Sequence, residues 1–459
     1  MSAPLPRARI DSMDQFRGYT VAGMFLVNYI GDYPFAHSYA DGFLAHMGTH
    51  FTWADSIMPS FMFCAGFSYR LTAPRRFQEL GVLRGTWSYI RRSLALVAIS
   101  LCIFGFGEFQ EYAHISLQSI QRMLTRLVCS QLWETLAIIG VCQLLLLPII
   151  LLSFRARVVA LFGLMAFHVW MSYSFGYAFQ SRAPNWVTSL TGLPGGGLFD
   201  GGLFGPFGWT IPMLGGTLAY DVVASHSAGA AARRLLVAGL FFMLLGYGLN
   251  CLTRLYDKTP AQKEEIAKLQ AELRASSPQG GGGRGRGGGR GGWGERRGGR
   301  FRDPDLPEDP RRARLRELTT LKDPVIPHWE RWKSPGIGWA EPPFVRPPNE
   351  NFRFRNYWMM AKGRVTLPFT TFALGFALTL YSLCVWVCDV GHFGWSVFRT
   401  LGLNPLAGYV IHEVLLLPVH GFAPSNSPVW YAVLSFLFFF WLNWLALRSL
   451  EKQKLFFRM

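Results

Sequence analysis

Ten long apolar blocks, separated by short arginine-rich links, constrain the fold of this chain more than any other feature. The blocks lie near residues 18–31, 53–72, 93–109, 131–152, 158–178, 209–224, 235–252, 366–388, 399–418 and 429–447. Each approaches the roughly 20 residues that an α-helix needs to cross the ~30 Å hydrocarbon layer of a membrane. We therefore predict an all-α, polytopic integral membrane helix bundle with about ten transmembrane helices.

The charges of the short links predict how this bundle is oriented. Fifteen Lys and Arg residues fall in the links on the side of the two termini, and three fall on the other side, namely Arg122, Arg126 and Arg182. Loops rich in Lys and Arg remain in the cytoplasm. No signal-peptide cleavage site follows the first apolar block, so we expect the first helix to stay in the membrane. We predict a multi-pass protein of the cell (inner) membrane with both termini cytoplasmic.

The composition changes between residues 254 and 364, which include "SSPQGGGGRGRGGGRGGWGERRGGRF". This segment holds 24 Lys and Arg against 14 Asp and Glu, so it carries 24 − 14 = +10 of the net charge of +17. We predict an extracytoplasmic, largely disordered insertion that builds no core. It separates a membrane domain with helices 1–7 (1–253) from one with helices 8–10 (365–459). Arg-Gly repeats can bind nucleic acid, but the predicted side of the membrane favours a solvated linker attracted to anionic surfaces.

Polar residues at membrane depth are candidate functional groups, because hydrocarbon leaves them without partners. Asp14 and Arg17 lie one helical turn apart at the inner end of the first helix, as expected for an interfacial ion pair. Asn28 lies near the outer end of that helix, where its amide needs polar partners. In "LGLNPLAGYVIHEVLL", Asn404 and His412 fall within one predicted span. We expect His412 either to reach a cavity shared with Asn28 and His46 or to form a helix-packing hydrogen bond.

The stretch "LAHMGTHFTWADSIMPSFMF" places His46 and His50 on an outer link and Asp55 at the start of the second helix. If residues 46–50 are helical, the two imidazoles share a face. Three interpretations remain open. Asp55 could complete a zinc site with the histidines, or it could cap the helix beside structural histidines. The favoured interpretation is acid/base or nucleophilic work by one histidine that Asp55 orients.

The segments "MDQFRGYTVAGMFLVNY", "HMGTHFTWADSIMPSFMFCAGFS" and "LGLNPLAGYVIHEVLL" resemble the catalytic membrane domain of heparan-alpha-glucosaminide N-acetyltransferase and its bacterial relatives. The resemblance is strong over residues 11–72, good over 361–420 and thin between them. It implies that acetyl-CoA on the cytoplasmic side, as co-substrate, supplies an acetyl group to a sugar amine across the membrane. We predict no metal at this site.

The resemblance assigns roles to individual positions. It implies that His46 is the catalytic histidine, that Asn28 acts beside it, and that Asp55 belongs to a Thr-x-x-Asp element that organises the site. Substrate contacts are implied for the neighbouring histidine, for the FRG arginine and for two residues of the late motif, which are His50, Arg17, Asn404 and His412. His46 could carry the acetyl group covalently or act as general base in a ternary complex.

The chain departs from the family pattern in places, which bears on the acceptor. Glu134 stands where a basic residue is common, "LFDGGLFG" lacks a glutamate, and Thr49 replaces a tryptophan. We predict an acetyltransferase that acts on an amine or hydroxyl of an extracytoplasmic glycan or amino sugar. The alternatives are a membrane O-acyltransferase of envelope polysaccharide and a small-anion transporter, although no inverted repeat supports the transporter. The expected partners are the lipid bilayer, acetyl-CoA and the glycan, without nucleic acid, and a homodimer remains open.

Overall fold

The structure is a computed structural model that describes residues 10–31, 33–38, 42–104, 134–178, 201, 204–275, 310–319, 323–332, 338–347 and 353–457. These residues form helices and irregular connections. They contain no strand, and their one β-type contact is an isolated bridge between Asp257 and Arg353. The prediction of an all-α chain is confirmed for this part of the protein.

A helix is present at each of the ten apolar blocks. In chain order the helices are α1 (Asp11–Ile30), α2 (Pro34–Ser38), α3 (Trp53–Phe104), α4 (Thr135–Leu146), α5 (Phe154–Ser174), α6 (Gly205–Ser225), α7 (Ala228–Cys251), α8 (Pro260–Ala275), α9 (Pro310–Thr319), α10 (Trp329–Trp332), α11 (Leu367–Cys384), α12 (Ser396–Leu403), α13 (Pro405–Phe422) and α14 (Val429–Lys452). Shorter turns of 3-10 type cover Leu252–Tyr256 and Lys362–Arg364, and a π-type turn, Val385–Val390, extends α11.

Five of the described segments are long and apolar enough to cross a membrane. They are Phe154–Ser174, Ala228–Tyr256, Leu367–Val390, Pro405–Phe422 and Val429–Lys452. Large apolar side chains on these segments face outwards, as lipid-facing side chains do; examples are Trp170, Leu244 and Trp441. The chain is therefore a membrane protein, and the full number of about ten spans remains a prediction.

The helices differ from the predicted spans in three places. The second and third blocks belong to one element, α3, interrupted at Gly81, whose φ of 75° is accessible to glycine. In the described part of the fourth block, helix α4 ends at Leu146, because Pro148 lacks the N–H that would extend it. The ninth block is split at Asn404, with φ −129° and ψ 58°, because Pro405 drives the preceding residue out of the α region.

Close contacts between helices position the start of α3. A Cβ added at Gly66 of α3 would lie 1.8 Å from a carbonyl oxygen of α6, and one at Gly216 of α6 would lie 2.0 Å from a carbonyl oxygen of α3. The two backbones therefore touch, which only glycine permits. The rings of Phe16, Phe63 and Tyr381 join α1, α3 and α11 in the same core.

The described parts of segment 254–364 pack against the helix bundle. The Tyr247 hydroxyl of α7 donates to the carbonyl of Ala340 at 2.7 Å, and the Phe51 N–H donates to the carbonyl of Pro343 at 2.9 Å. Tyr357 is fully buried. The prediction that this segment builds no core is wrong for these parts, because burial of their aromatic rings stabilises the packing. Residues 276–309, with the Gly-Arg portion, and residues 179–200 lie outside the described residues.

Candidate active site

His46 and Asp55 meet at the start of α3. The Nδ1 atom of His46 lies 2.8 Å from Oδ1 of Asp55. The Asp55 side chain is fully buried, whereas 28% of the His46 side chain is exposed. Because an ionised carboxylate can only accept a hydrogen bond, the ring carries a proton on Nδ1, and a neutral ring then has its lone pair on Nε2. This tautomer can accept a proton or attack a carbonyl carbon.

Asp55 is fixed by the helix that it helps to begin. Its Oδ2 accepts a hydrogen bond from the Thr52 N–H at 3.3 Å, and its own N–H donates to the Thr52 hydroxyl at 3.2 Å. This reciprocal pair is a capping box. The Thr52 hydroxyl also donates to the Ala45 carbonyl at 2.9 Å, which ties the loop of His46 to the helix. One carboxylate oxygen therefore caps α3 while the other orients His46, so the capping and orienting roles are combined.

Lys362 completes the surroundings of His46. Its Nζ lies 3.1 Å from Nε2 of His46, across 316 residues of sequence. An ammonium group can only donate, so it directs an N–H towards the imidazole lone pair. Sequence analysis missed Lys362 because it follows the low-complexity segment, and its only signal is the Lys-Gly-Arg sequence just before α11. An ammonium cannot ligate a metal, and no cluster of three or more His, Cys, Asp or Glu side chains suited to a metal ion occurs among the described residues.

His50 has different surroundings from His46. The link 43–52 contains turns and bends rather than an α-helix, so the premise that the two imidazoles share a helix face is wrong. The chain must reverse here to enter α3, and Gly42 adopts a φ of 78° where it turns. His50 is 4% exposed, and its Nδ1 lies 3.1 Å from the Thr49 hydroxyl. His50 is therefore buried within the loop, whereas the side chain of His46 is partly exposed.

Asn28 pairs with His412 rather than with His46. The amide nitrogen of Asn28 lies 3.0 Å from Nε2 of His412, whose Nδ1 lies 2.6 Å from the carbonyl oxygen of Tyr409. This arrangement fits a neutral ring with its proton on Nδ1. Nε2 also lies 3.1 Å from Oε1 of Glu413. His412 is fully buried and Asn28 is partly exposed, so the histidine fixes the amide and the amide oxygen is turned away from the ring.

Arg17 lies at the other end of α1, in a cavity of about 830 Å³. The predicted ion pair with Asp14 is present at 3.0 Å, and Arg17 also donates to the Ser68 hydroxyl at 3.2 Å. Ile10 and Phe457 both line this cavity, so the two ends of the described chain lie at the same end of the bundle. Further polar groups of the lining that sequence analysis missed are Tyr69, Arg76, Tyr89, Arg92 and Gln143.

Three polar atoms in this cavity are buried without a hydrogen-bond partner. They are Nε of Arg17, Nε of Arg92 and the hydroxyl of Tyr69. Buried polar atoms of folded proteins are nearly always paired, so such a group of atoms indicates a missing partner. Guanidinium groups favour phosphate or carboxylate. The cavity therefore has the chemistry of an anion-binding site.

Asn404 lies at the junction of α12 and α13, at the cavity end of the molecule. Its amide nitrogen donates to the Leu455 carbonyl at 2.9 Å, and its amide oxygen accepts from the Phe457 N–H at 2.9 Å. Asn404 is fully buried, and Phe457 lines the cavity. Its placement within one helix together with His412 is wrong because Pro405 breaks that span. In the structure, the two hydrogen bonds of Asn404 fix the C-terminal segment beside the cavity.

These features define a helical membrane protein with an oriented histidine near one end and an arginine-lined cavity near the other. The chain belongs to a family of membrane acetyltransferases, because the family model described as "Heparan-alpha-glucosaminide N-acetyltransferase, catalytic" matches residues 9–247, more than half of the chain. The predicted family resemblance is confirmed. The match includes Arg17, His46 and Asp55, whereas Lys362 and His412 lie beyond it. No curated protein matches the chain.

Proposed function

We propose that this chain moves an acetyl group from cytoplasmic acetyl-CoA to an amine or hydroxyl of an extracytoplasmic sugar. The contact between His46 and Asp55 carries the proposal, because a buried carboxylate that orients an accessible imidazole is a recurrent arrangement in acyl transfer. Membership in the N-acetyltransferase family supports the acetyl group and favours an amine as the acceptor.

The cavity around Arg17 is the proposed donor site. Acetyl-CoA carries several phosphate charges, and Arg17, Arg76 and Arg92 supply cations for them. The three buried polar atoms without partners would be satisfied by such a ligand. The volume of about 830 Å³ lies within the range of roughly 300–1,000 Å³ that is usual for small-molecule sites.

The cavity extends along α3 towards His46. Phe61 and Arg76 both line it, and the step from residue 61 to residue 76 corresponds to about 22 Å of helix. Phe61 lies six residues after Asp55, which is about 9 Å along the same axis. A long donor with its phosphates beside Arg76 can therefore direct its thioester towards His46. This geometry supports a reaction that joins the two ends of the bundle.

The remaining polar residues take supporting roles in this proposal. Asn28, which His412 holds, offers its amide oxygen to the acceptor. His50 packs inside the loop on the acceptor side, where it contacts Thr49. Asn404 donates a hydrogen bond to Leu455 and so fixes the C-terminal segment beside the donor cavity. At His46, Nε2 can act as general base on the acceptor or as a covalent acetyl carrier. Rapid quenching with labelled acetyl-CoA in the absence of acceptor separates the two routes, because only the carrier route labels His46.

Purified protein incubated with labelled acetyl-CoA and a panel of amino sugars and neutral sugars tests the proposal. We expect acid-stable label on the nitrogen of at least one amino sugar. Base-labile label on hydroxyl groups alone would assign the chain to O-acyl transfer. Failure to label any acceptor by a protein that remains folded and binds acetyl-CoA would contradict the proposal. Uptake of a small anion into vesicles without transfer would favour the transporter.

A further inference from the structure

We propose that Lys362 is an additional catalytic residue, which donates a hydrogen bond to His46 at rest and to the thioester carbonyl oxygen during transfer. This inference rests on the proposed acetyltransferase function. The contact that carries it joins Nζ of Lys362 to Nε2 of His46 at 3.1 Å. Lys362 is partly exposed, as is His46.

The contact has a direct consequence for reactivity. With Nδ1 committed to Asp55, Nε2 is the only ring atom of His46 that can take a proton or attack a carbon. The Lys362 ammonium points at that atom and must release it before His46 can act. A carbonyl oxygen that gains negative charge is a stronger acceptor than a neutral imidazole, so the thioester can draw the ammonium away as the reaction proceeds.

The backbone that carries Lys362 is strained and tightly held. The turn Lys362–Arg364 ends at Val365, which has φ 49° and ψ 49° and is fully buried. A β-branched residue in this left-handed region is a rare outlier, and such strain persists where the surrounding structure enforces it, often at functional sites. The Val365 N–H donates to the Lys362 carbonyl at 2.8 Å, and the Thr366 hydroxyl donates to the Met359 carbonyl at 2.6 Å.

The proposed step balances as follows. The acceptor nitrogen bonds to the acetyl carbon, and the electron pair of the carbonyl double bond moves to its oxygen, which Lys362 stabilises. Collapse of this intermediate breaks the carbon–sulfur bond, and the thiolate of CoA leaves. The proton lost by the acceptor nitrogen passes to Nε2 of His46 and then to the thiolate, which gives the free thiol. In the carrier route, Nε2 is the attacking atom and Lys362 stabilises the same oxygen.

Replacement of the ammonium tests the assignment. We expect Lys362→Met to lower kcat for acetyl transfer by about 100-fold, as loss of one oxyanion donor does, and to leave the KM for acetyl-CoA within about twofold of the parent value. Lys362→Arg keeps a cationic donor and should recover part of the loss. Lys268→Met, at an exposed position of α8, is the matched control with parental activity. A Lys362→Met protein with a kcat within about threefold of the parent would overturn the proposal.

A second measurement does not depend on turnover. Diethyl pyrocarbonate modifies an imidazole nitrogen with a free lone pair, and mass spectrometry of the peptide that contains His46 reports the rate. Because Lys362 covers Nε2, we expect Lys362→Met to increase this rate several-fold while Lys268→Met does not. An unchanged rate would show that the contact does not protect His46 and would also overturn the assignment. If the parent protein transfers no acetyl group at all, the proposed function fails, whatever the result at His46.

Discussion

Two polar pairs in this molecule have the same design but different surroundings. In each, a fully buried member bonded to the backbone holds a partly exposed partner: Asp55 holds His46, and His412 holds Asn28. The first pair lies on a loop and the first turn of α3 and contains a carboxylate. The second joins α1 to α13 through an amide and an imidazole. His46 also contacts the Lys362 ammonium, whereas the contacts of Asn28 among the described side chains are with His412.

The difference separates chemistry from positioning. An imidazole held by a carboxylate can take up and release a proton, and the buried carboxylate stabilises the charged form that results. The amide of Asn28 has no such proton chemistry, but it provides a fixed acceptor for a hydrogen bond. We therefore propose that the His46 pair makes bonds and that the Asn28 pair places the acceptor.

The largest effect is expected at His46. His46→Gln removes the basic nitrogen and should lower kcat about a thousandfold, within the usual range for a general base. His37→Gln, at an exposed position of α2, is the matched control and should transfer at the parental rate. Initial rates with labelled acetyl-CoA, normalised to folded protein, measure both. Equal activity of His46→Gln and His37→Gln would remove the distinction between the two pairs.

A smaller effect with a different signature is expected at Asn28. Asn28→Ala removes the amide oxygen offered to the acceptor and should raise the KM for the acceptor about tenfold, which corresponds to one lost hydrogen bond. The KM for acetyl-CoA should remain unchanged. The variant also leaves Nε2 of the buried His412 without its amide donor, so a fall in Tm should accompany the change. If His46→Gln and Asn28→Ala alter the same kinetic constants, the two pairs do not have separate roles.

The sequence predicts the parts of these pairs that local motifs encode. The Thr-x-x-Asp motif places Asp55 in a capping box, and nine residues separate it from His46, so their contact follows from local geometry. The Asn-Pro dipeptide at Asn404 marks a helix break that the apolar pattern conceals. Lys362 could not be predicted, because its position depends on how the chain returns to the bundle after the 254–364 segment. The hydrophobic periodicity of a sequence cannot predict a contact such as that between Lys362 and His46, which lie 316 residues apart.

The arginine-lined cavity, which is the proposed donor site, allows a third and independent test. Arg92→Ala removes a partly buried cation from the cavity lining and should raise the KM for acetyl-CoA about tenfold or more, since hydrogen bonds to charged groups contribute about 1.5–3 kcal/mol. The neighbouring Arg91 is exposed and does not line the cavity, so Arg91→Ala should match the parent. Isothermal titration with acetyl-CoA gives the same comparison without turnover. Equal weakening by both variants would point to general surface charge rather than to this cavity.

The smallest effect concerns segment 338–347, which packs against the loop that carries His46. In segment 338–347, the Pro343 carbonyl accepts a hydrogen bond from the Phe51 N–H. The Arg353 guanidinium donates to the Glu341 carboxylate of the same segment at 2.9 Å. Burial disfavours the charged form of Glu341, but the hydrogen bonds and charge of Arg353 outweigh it and lower the pKa of Glu341. A lowered carboxyl pKa adds stability above the unfolded pKa of about 4.3, and this stability is lost as pH falls through the folded pKa.

Glu341→Gln should therefore lower Tm by about 1–2 °C at pH 7, and the difference from the parent should shrink at pH 4. Thermal unfolding of detergent-solubilised protein at the two pH values measures this. The Asn28 pair has no link to segment 338–347 among the described contacts, so Glu341→Gln should leave the KM for the acceptor unchanged. A Tm difference that is as large at pH 4 as at pH 7 would contradict the assigned role of the Glu341 charge.

Transfer across a sealed membrane tests most directly whether the two ends of the bundle serve one reaction. Proteoliposomes are sorted by orientation, labelled acetyl-CoA is supplied on the side of the termini, and an amino sugar is enclosed on the opposite side. We predict label on the enclosed sugar with the parent and with His37→Gln, and at most a trace with His46→Gln. Label found only on sugar added to the acetyl-CoA side would contradict transfer from the arginine-lined cavity through the bundle to His46.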